Sequence, residues 1–225
     1  MVSQASGQTA DKQDPADRLR TLILKGEMAP GQRLVEADLA ELLQVKRSAV
    51  RTALVQLTSE RLVERIRNRG ARVRVVTVAE AIAVYECRMV LEGLCARKAA
   101  ENITKSQAEQ LGAIGRSMEA AVRNGDPLQY SQLNEQLHTQ VREFAAQPVA
   151  KDMLEGLHAQ LVRHRFRLAL RPGRPAESLP QHLAIIRAVA EGNPDAAEAA
   201  MREHVLDVIR LLGETEEPEL GQVGG

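Results

Sequence analysis

Aromatic residues are scarce in this chain of 225 residues, which has two tyrosines, two phenylalanines and no tryptophan. Proteins that bind RNA or single strands stack bases on aromatic side chains, so this scarcity argues against that class. The sequence contains no run of about 18 apolar residues, the length that a helix needs to cross a membrane. The polar N-terminus also lacks the apolar segment of a secretory signal. The two cysteines, Cys87 and Cys95, fall in one predicted helix about 12 Å apart, too far for a disulfide. We therefore expect a reduced, cytoplasmic protein with no membrane partner.

Net charge is also absent, since 30 basic residues balance 30 acidic ones. Taken alone, this balance argues against a nucleic-acid partner, but the charges are unevenly distributed. Residues 1–78 carry 14 basic and 9 acidic side chains, a net of +5, and residues 79–225 carry 16 and 21, a net of −5. Binding depends on the local field rather than on the total charge. The front of the chain is therefore the candidate for binding a polyanion.

The basic front part has the pattern of a helix-turn-helix followed by a hairpin. Hydrophobic periodicity predicts short helices at about 16–27, 35–43 and 47–60. Alternating residues around an Asn68-Arg69-Gly70 turn then predict a two-stranded hairpin. This order of elements is typical of a winged helix-turn-helix, which lays its second helix in the DNA major groove.

Positive charge is concentrated in that helix and hairpin. From Lys46 to Arg74 there are nine basic residues and only two acids. A basic helix start and a basic wing tip are where such modules contact bases and phosphates. The candidate DNA-binding residues are Lys46, Arg47, Ser48, Arg51, Arg69 and Gly70.

After residue 78 the strand signals stop and helical periodicity continues nearly to the end. Turn signals interrupt this periodicity near residues 102–104, 125–127, 147–148, 171–180 and 192–194. These breaks predict six helices. The predicted fold is therefore mainly α: an N-terminal winged helix-turn-helix followed by an all-α antiparallel helical bundle.

All five histidines lie in this helical half. His182 and His204 each lie ten residues from a predicted Gly-Asn-Pro-Asp turn, so two antiparallel helices would hold them at the same height. Asn134 and His138 are four residues apart and share one helix face. If that helix packs against the hairpin, three imidazoles and a carboxamide oxygen could converge. Such a set suits a divalent metal ion, with zinc or nickel favoured; isolated structural histidines are the alternative.

Arg88 is a candidate for binding an anion. It shares a helical stripe with apolar residues, and a desolvated guanidinium needs an anionic partner. That partner is either a bound carboxylate effector or the side chain of Glu92, one turn later, and the sequence leaves both open. Glu92 is also a candidate effector-binding residue, and Arg163 and Arg167, on one face of a later helix, are further candidates for the same pocket.

The front of the chain resembles the winged-helix domain of the GntR family of bacterial transcription regulators. Gln44 and Arg61 stand where that family usually has glycine, and Lys46 stands where a capping serine or threonine is usual. The resemblance implies that Lys46, Arg47, Ser48, Arg51 and Gly70 occupy DNA-contact positions. It is carried by Pro30-Gly31, Leu34, Glu36, Leu39-Ala40, Leu43, Val45, Arg47, Val50-Arg51, Ala53-Leu54, Leu57, Leu62-Val63, Arg69-Gly70-Ala71 and Val73.

The helical half is similar to the FCD type of the FadR-like subfamily, through YECRMVLEG, LNEQLHTQ and the QH and EH pairs near the end. In that subfamily the matching positions often bind a metal through an aspartate and three histidines, and the aspartate position here is Asn134. The implied organisation is a disordered leader at 1–14, a winged helix-turn-helix at 15–78, an effector-binding and dimerisation domain at 79–213 and a disordered acidic tail at 214–225.

The resemblance implies a ligand-responsive regulator, with repression the commoner sign. A homodimer would place two recognition helices about one DNA turn apart on a palindromic operator, and a small carboxylate would be the effector. The alternative is a metalloenzyme that uses the histidines to activate water. The sequence has no HExxH pair, nucleophile elbow or phosphate loop, and an enzyme would not explain the basic wing.

Overall fold

The computed structural model describes residues 14–66, 70–161, 164, 168 and 171–214. The predicted leader and acidic tail lie almost entirely outside this range, and three of the predicted site residues, Arg69, Arg163 and Arg167, lie outside it as well. The chain divides into two compact units, Met1–Val75 and Val76–Gly225.

The described part of the first unit contains the helices α1 at Pro15–Leu24, α2 at Glu36–Leu43 and α3 at Arg47–Ser59. The Asp14 side chain caps α1 by accepting a hydrogen bond from the Ala16 amide, and proline at the first helical position suits this start. Apolar residues spaced three or four apart face inward from all three helices and form the core of the unit. They include Leu19, Leu39, Leu43, Val50, Leu54 and Leu57.

Two non-glycine residues in this unit adopt the left-handed backbone conformation. Gln44 ends α2 with φ of 53°, and Arg61, which follows α3 closely, has φ of 59°. Side chains with a Cβ disfavour this region by about 1 kcal/mol or more. Both positions therefore favour glycine, the residue that the resemblance in sequence leads us to expect there.

The hairpin belongs to a three-stranded antiparallel sheet of β1 at Arg33–Leu34, β2 at Val63–Ile66 and β3 at Gly70–Val73. The strand order is β1-β3-β2, so β3 is central. The alternation in sequence predicted β2 and β3, but a strand of two residues is too short to alternate and β1 was missed. Its buried Leu34 pairs with Ala71 of β3.

The second unit is helical throughout its described elements. The helices whose bounds fall within the described residues are α4 at Val78–Asn102, α5 at Lys105–Arg123, α6 at Pro127–Phe144, α7 at Pro148–Gln160, α8 at Arg174–Ala190 and α9 at Pro194–Glu214. The side chains of Leu111, Met118, Leu137, Ile185 and Met201 are almost fully buried in its core.

The predicted break at 171–180 is wrong over most of its length, because α8 starts at Arg174 and continues through Pro180. A proline inside a helix removes one backbone hydrogen bond and normally disfavours helix. In the rest of this helix the side chains of Ile185, Ile186 and Val189 are buried. Their packing offsets the cost of the hydrogen bond lost at Pro180. In the described ranges, no helix is both long and apolar enough to cross a membrane.

Candidate functional site

The start of α3 presents an uncapped, positively charged end. Lys46 occupies the cap position with an extended backbone, and its side chain makes no capping hydrogen bond among the described residues. Lys46, Arg47, Ser48 and Arg51 are all exposed. A cation at a helix N-terminus opposes the helix dipole by about 0.3–1 kcal/mol, and a phosphate bound to the free amides would turn this cost into a gain.

Arg51 is held by an acid on α2 that the sequence analysis did not assign to it. Its Nε donates to Glu36 Oε2 over 2.6 Å. The Arg51 side chain nevertheless remains 65% exposed. The ion pair therefore occupies Nε, while most of the side chain stays accessible to solvent.

In the wing, Gly70 is exposed and has φ of 88°. This conformation favours glycine. Arg72 faces Glu64 across the β2–β3 pair, and its Nε donates to Glu64 Oε1 over 2.6 Å. Arg69, the other predicted DNA-binding residue of the wing, lies outside the described residues.

Three histidines from three helices converge in the second unit. His138 lies on α6, His182 on α8 and His204 on α9, and one nitrogen from each lies within 4.8 Å of the others. The ring centroids are 4.4 Å apart for His182 and His204, 5.4 Å for His138 and His204, and 6.0 Å for His138 and His182. This spacing allows one ion to contact all three rings.

Each imidazole is held through Nδ1 by a different partner. His138 Nδ1 lies 2.8 Å from Glu92 Oε2, and His182 Nδ1 lies 2.7 Å from the Tyr130 hydroxyl. His204 Nδ1 lies 3.0 Å from Gln181 Oε1. Metal-bound histidines are typically oriented in this way, by a hydrogen bond at the nitrogen that does not bind the metal.

The remaining Nε2 atom of His182 is buried and has no hydrogen-bond partner among the described residues. The same is true of the side-chain oxygen of Asn134, one turn before His138 on α6. A buried polar atom without a partner costs about 1–3 kcal/mol, so each needs an explanation. Three converging imidazole nitrogens are a donor set that fits a divalent ion such as zinc or nickel.

Burial keeps two of the imidazoles neutral. It lowers the pKa of His182 well below its ordinary value, with a further contribution from the neighbouring His204. Burial likewise lowers the pKa of His204 to about 3. Both rings are therefore neutral at pH 7, the form whose bare nitrogen binds a metal.

Arg88 and Glu92 form the internal ion pair that the sequence left open. The Nε and Nη2 atoms of Arg88 lie 2.8 Å and 2.5 Å from Glu92 Oε1, and both side chains are buried. Burial opposes ionisation of Glu92, but Arg88 and His138 hold its pKa well below the usual range. The Nη1 atom of Arg88 is buried without a hydrogen-bond partner in the described part of the chain.

A second layer of side chains behind the histidines was missed by the sequence analysis. The Tyr130 hydroxyl also bonds Ser178 Oγ over 2.8 Å, and Ser178 Oγ donates to the Arg174 carbonyl over 2.9 Å. Arg174 Nη1 donates to Asp207 over 2.7 Å, and the Gln181 side chain also bonds Asp207. These partners come from three helices, so no local motif could reveal them.

The two other histidines lie apart from this cluster. His164 is buried, and its Nε2 lies 2.8 Å from the Val76 carbonyl, so this ring has a structural hydrogen bond. His158 lies 3.5 Å from a carboxylate oxygen of Glu135.

Comparisons with known proteins match both parts of the chain to known families. Residues 12–73 match the bacterial regulatory proteins of the gntR family, and residues 83–207 match the FCD domain. The HTH-type transcriptional repressor RspR of Escherichia coli K12 is 29% identical over 190 residues, which cover 84% of this chain and 83% of that protein. The Glc operon transcriptional activator of the same strain is 27% identical over 224 residues, covering 89% and 88%. The structure of E. coli McbR/YncC has the same fold, with a TM-score of 0.71 at 21% identity, covering 88% and 95%.

Proposed function

This chain belongs to the GntR family of bacterial transcription regulators and carries an FCD effector-binding domain, and we propose that it is a metal-dependent repressor. In this proposal a homodimer binds a palindromic operator and is released when a small carboxylate binds at the histidine cluster. The observation that carries the proposal is the convergence of three buried imidazoles whose Nδ1 atoms are already occupied. The family and the relatives are transcription regulators rather than enzymes, which argues against the metalloenzyme alternative.

The DNA contacts are assigned to the start of α3 and to the wing. Lys46 and Arg47 would bind phosphates beside the free helix amides, and Arg51, aimed by Glu36, would read base edges in the major groove. Ser48 would contribute a hydrogen bond, and Gly70 with Arg69 would follow the adjacent backbone. Exposure of the four helix residues and the absence of an acid in the first turn of α3 support this assignment.

The metal would be held by His138, His182, His204 and Asn134. A divalent ion supplies a Lewis-acidic centre that attracts anionic ligands. All four donors are neutral, so they leave the charge of a dication uncompensated in a buried site. Burying such charge is costly without an anionic partner, and this favours a carboxylate as the effector.

Arg88 supports the same choice of effector. Glu92 occupies two of its nitrogens, and the buried Nη1 remains as a donor for a carboxylate oxygen. Glu92 contacts both His138 and Arg88, so as a candidate effector-binding residue it would act by orienting these two side chains. Arg163 and Arg167 remain candidates for the same pocket on the sequence alone.

Repression is proposed because RspR, a relative that aligns over most of this chain, is named a repressor. The Glc operon relative is named an activator, so the sign needs its own test. A reporter placed behind the bound operator in cells should gain expression when the gene for this protein is deleted. Loss of expression would reverse the sign.

The DNA half is tested by selecting duplexes from a randomised library and measuring affinity by fluorescence anisotropy across a salt titration. The Arg51→Ala variant should bind about 1–3 kcal/mol more weakly and lose preference at one base position of each half-site. Arg187→Ala, an exposed arginine of α8, is the matched control and should behave as wild type. Unchanged sequence preference in Arg51→Ala would reject the recognition-helix assignment.

The metal half is tested by dialysing the protein against zinc or nickel chloride and measuring bound metal by elemental analysis. Replacing both His182 and His204 with alanine should abolish binding, and the matched control His158→Ala should retain it. Acetate, succinate and citrate should then weaken operator binding only in the metal-loaded protein. A full metal complement in the double variant would place the site elsewhere.

A further inference from the structure

We infer that Tyr130 and Gln181 are positioning residues that keep the proton on Nδ1 of His182 and His204, and so turn the Nε2 lone pairs of both rings to the metal. The inference rests on the proposed metal site but concerns the protein without metal. A neutral imidazole carries its proton on one of two nitrogens, and only the other nitrogen can bind a metal. The two chains of hydrogen bonds behind the histidines decide which nitrogen that is.

The first chain fixes His182 and ends on a group that can only accept. The Arg174 carbonyl accepts a hydrogen bond from Ser178 Oγ, so the serine hydroxyl has no second proton to donate to Tyr130. Ser178 Oγ can then accept a hydrogen bond from the Tyr130 hydroxyl, 2.8 Å away. The Tyr130 oxygen in turn accepts from His182 Nδ1, 2.7 Å away. When every member donates once in this direction, the proton of His182 lies on Nδ1.

The second chain fixes His204 and ends on a carboxylate. Asp207 accepts from Arg174 Nη1 and from the side chain of Gln181. A carboxylate can accept only from the amide nitrogen of Gln181, so the amide oxygen faces His204. That oxygen lies 3.0 Å from His204 Nδ1 and cannot donate. The His204 proton must therefore lie on Nδ1 for this hydrogen bond to exist.

Both chains of hydrogen bonds run through side chains on one face of α8. Arg174, Ser178, Gln181 and His182 follow the spacing of four, three and one residues that brings side chains to the same side of a helix. Arg174 is buried and serves both chains, through its carbonyl in the first and its guanidinium in the second. Replacing its side chain leaves its carbonyl in place, so the first chain and His182 should be unaffected.

The test reads the ring protons by long-range 15N–1H correlation spectra of the metal-free protein at neutral pH. Wild-type His182 and His204 should both show a protonated Nδ1 and a bare Nε2. Tyr130→Phe should convert only His182 into a mixture of the two forms, and Gln181→Met should do so only for His204. Each variant is the matched control for the other.

Zinc affinity, measured by competition with a chelating dye, should fall about 10- to 100-fold in either variant. If Tyr130→Phe does not fold, Ser178→Ala interrupts the same chain one step further from the ring. A wild-type proton on Nε2 of either histidine, or spectra unchanged in both variants, would overturn the inference. Correct ring protons in a protein that binds no zinc would instead reject the metal site and leave the proton assignment standing.

Discussion

Replacing Arg88 with methionine should destabilise the helical unit strongly, because the change strands a buried carboxylate. Methionine keeps a long apolar side chain but removes the guanidinium that contacts Glu92 through Nε and Nη2. The two residues are only 6% and 2% exposed, so water cannot replace the lost contacts.

The expected loss follows from what remains around Glu92. Removing one partner of a buried ion pair costs about 3–5 kcal/mol. Glu92 keeps its hydrogen bond from His138, so the lower end, about 3 kcal/mol, is expected. Replacing both members, as in Arg88→Met with Glu92→Leu, should recover at least half of the loss, because no charge is then left unpaired.

The assay is urea unfolding of the metal-free protein at pH 7, followed by circular dichroism and extrapolated to water. Arg97→Met is the matched control: Arg97 lies on the same helix and pairs with Asp195 and Glu198, but at the surface. Surface pairs contribute little because solvent screens them. If Arg88→Met cost no more than Arg97→Met, or if the double variant were no more stable than the single one, the buried-pair reasoning would be refuted.

Three further predictions concern the metal ligand, the backbone and pH. Asn134→Asp should raise zinc affinity at least about tenfold, or ~1.4 kcal/mol, because a carboxylate would offset the charge of the ion; an unchanged dye-competition constant would exclude residue 134 as a ligand. Gln44→Gly should stabilise the first unit by about 1 kcal/mol, since φ there is positive, and a lower denaturation midpoint would contradict this. In metal-free protein, His204 has its pKa lowered to about 3, whereas an unfolded histidine titrates near 6.5. Between these pH values the unfolded chain binds one more proton at His204, so this residue alone should cost about 1.4 kcal/mol of stability per pH unit on acidification from pH 6.5. His204→Gln should reduce the slope of stability against pH by that amount, and an equal slope in both proteins would count against a buried neutral ring.

Local patterns predicted much of the fold. The start of α3 at Arg47 and the wing strands followed from hydrophobic periodicity, alternation and turn residues. These signals depend on neighbouring residues alone, so they survive without knowledge of packing. The two-residue strand β1 and the continuation of α8 through Pro180 depend on distant partners, and both were missed.

The candidate metal site divides in the same way. The equal spacing of His182 and His204 from one turn is arithmetic along the chain, because an antiparallel helix pair brings equidistant residues to one height. The sequence therefore determined which histidines could meet, as well as the basic helix and wing at the front. It did not determine that α6 brings His138 to them.

Tertiary structure alone decided how those rings are used. The Tyr130 hydroxyl reaches His182 across 52 positions of sequence, and Glu92 reaches His138 across 46. Such contacts depend on the rotation of each helix about its axis, which is set by the packing of the whole core. The same packing gave Arg88 its partner in Glu92 and left its Nη1 without a hydrogen-bond partner in the described ranges, and periodicity in the sequence predicts neither contact.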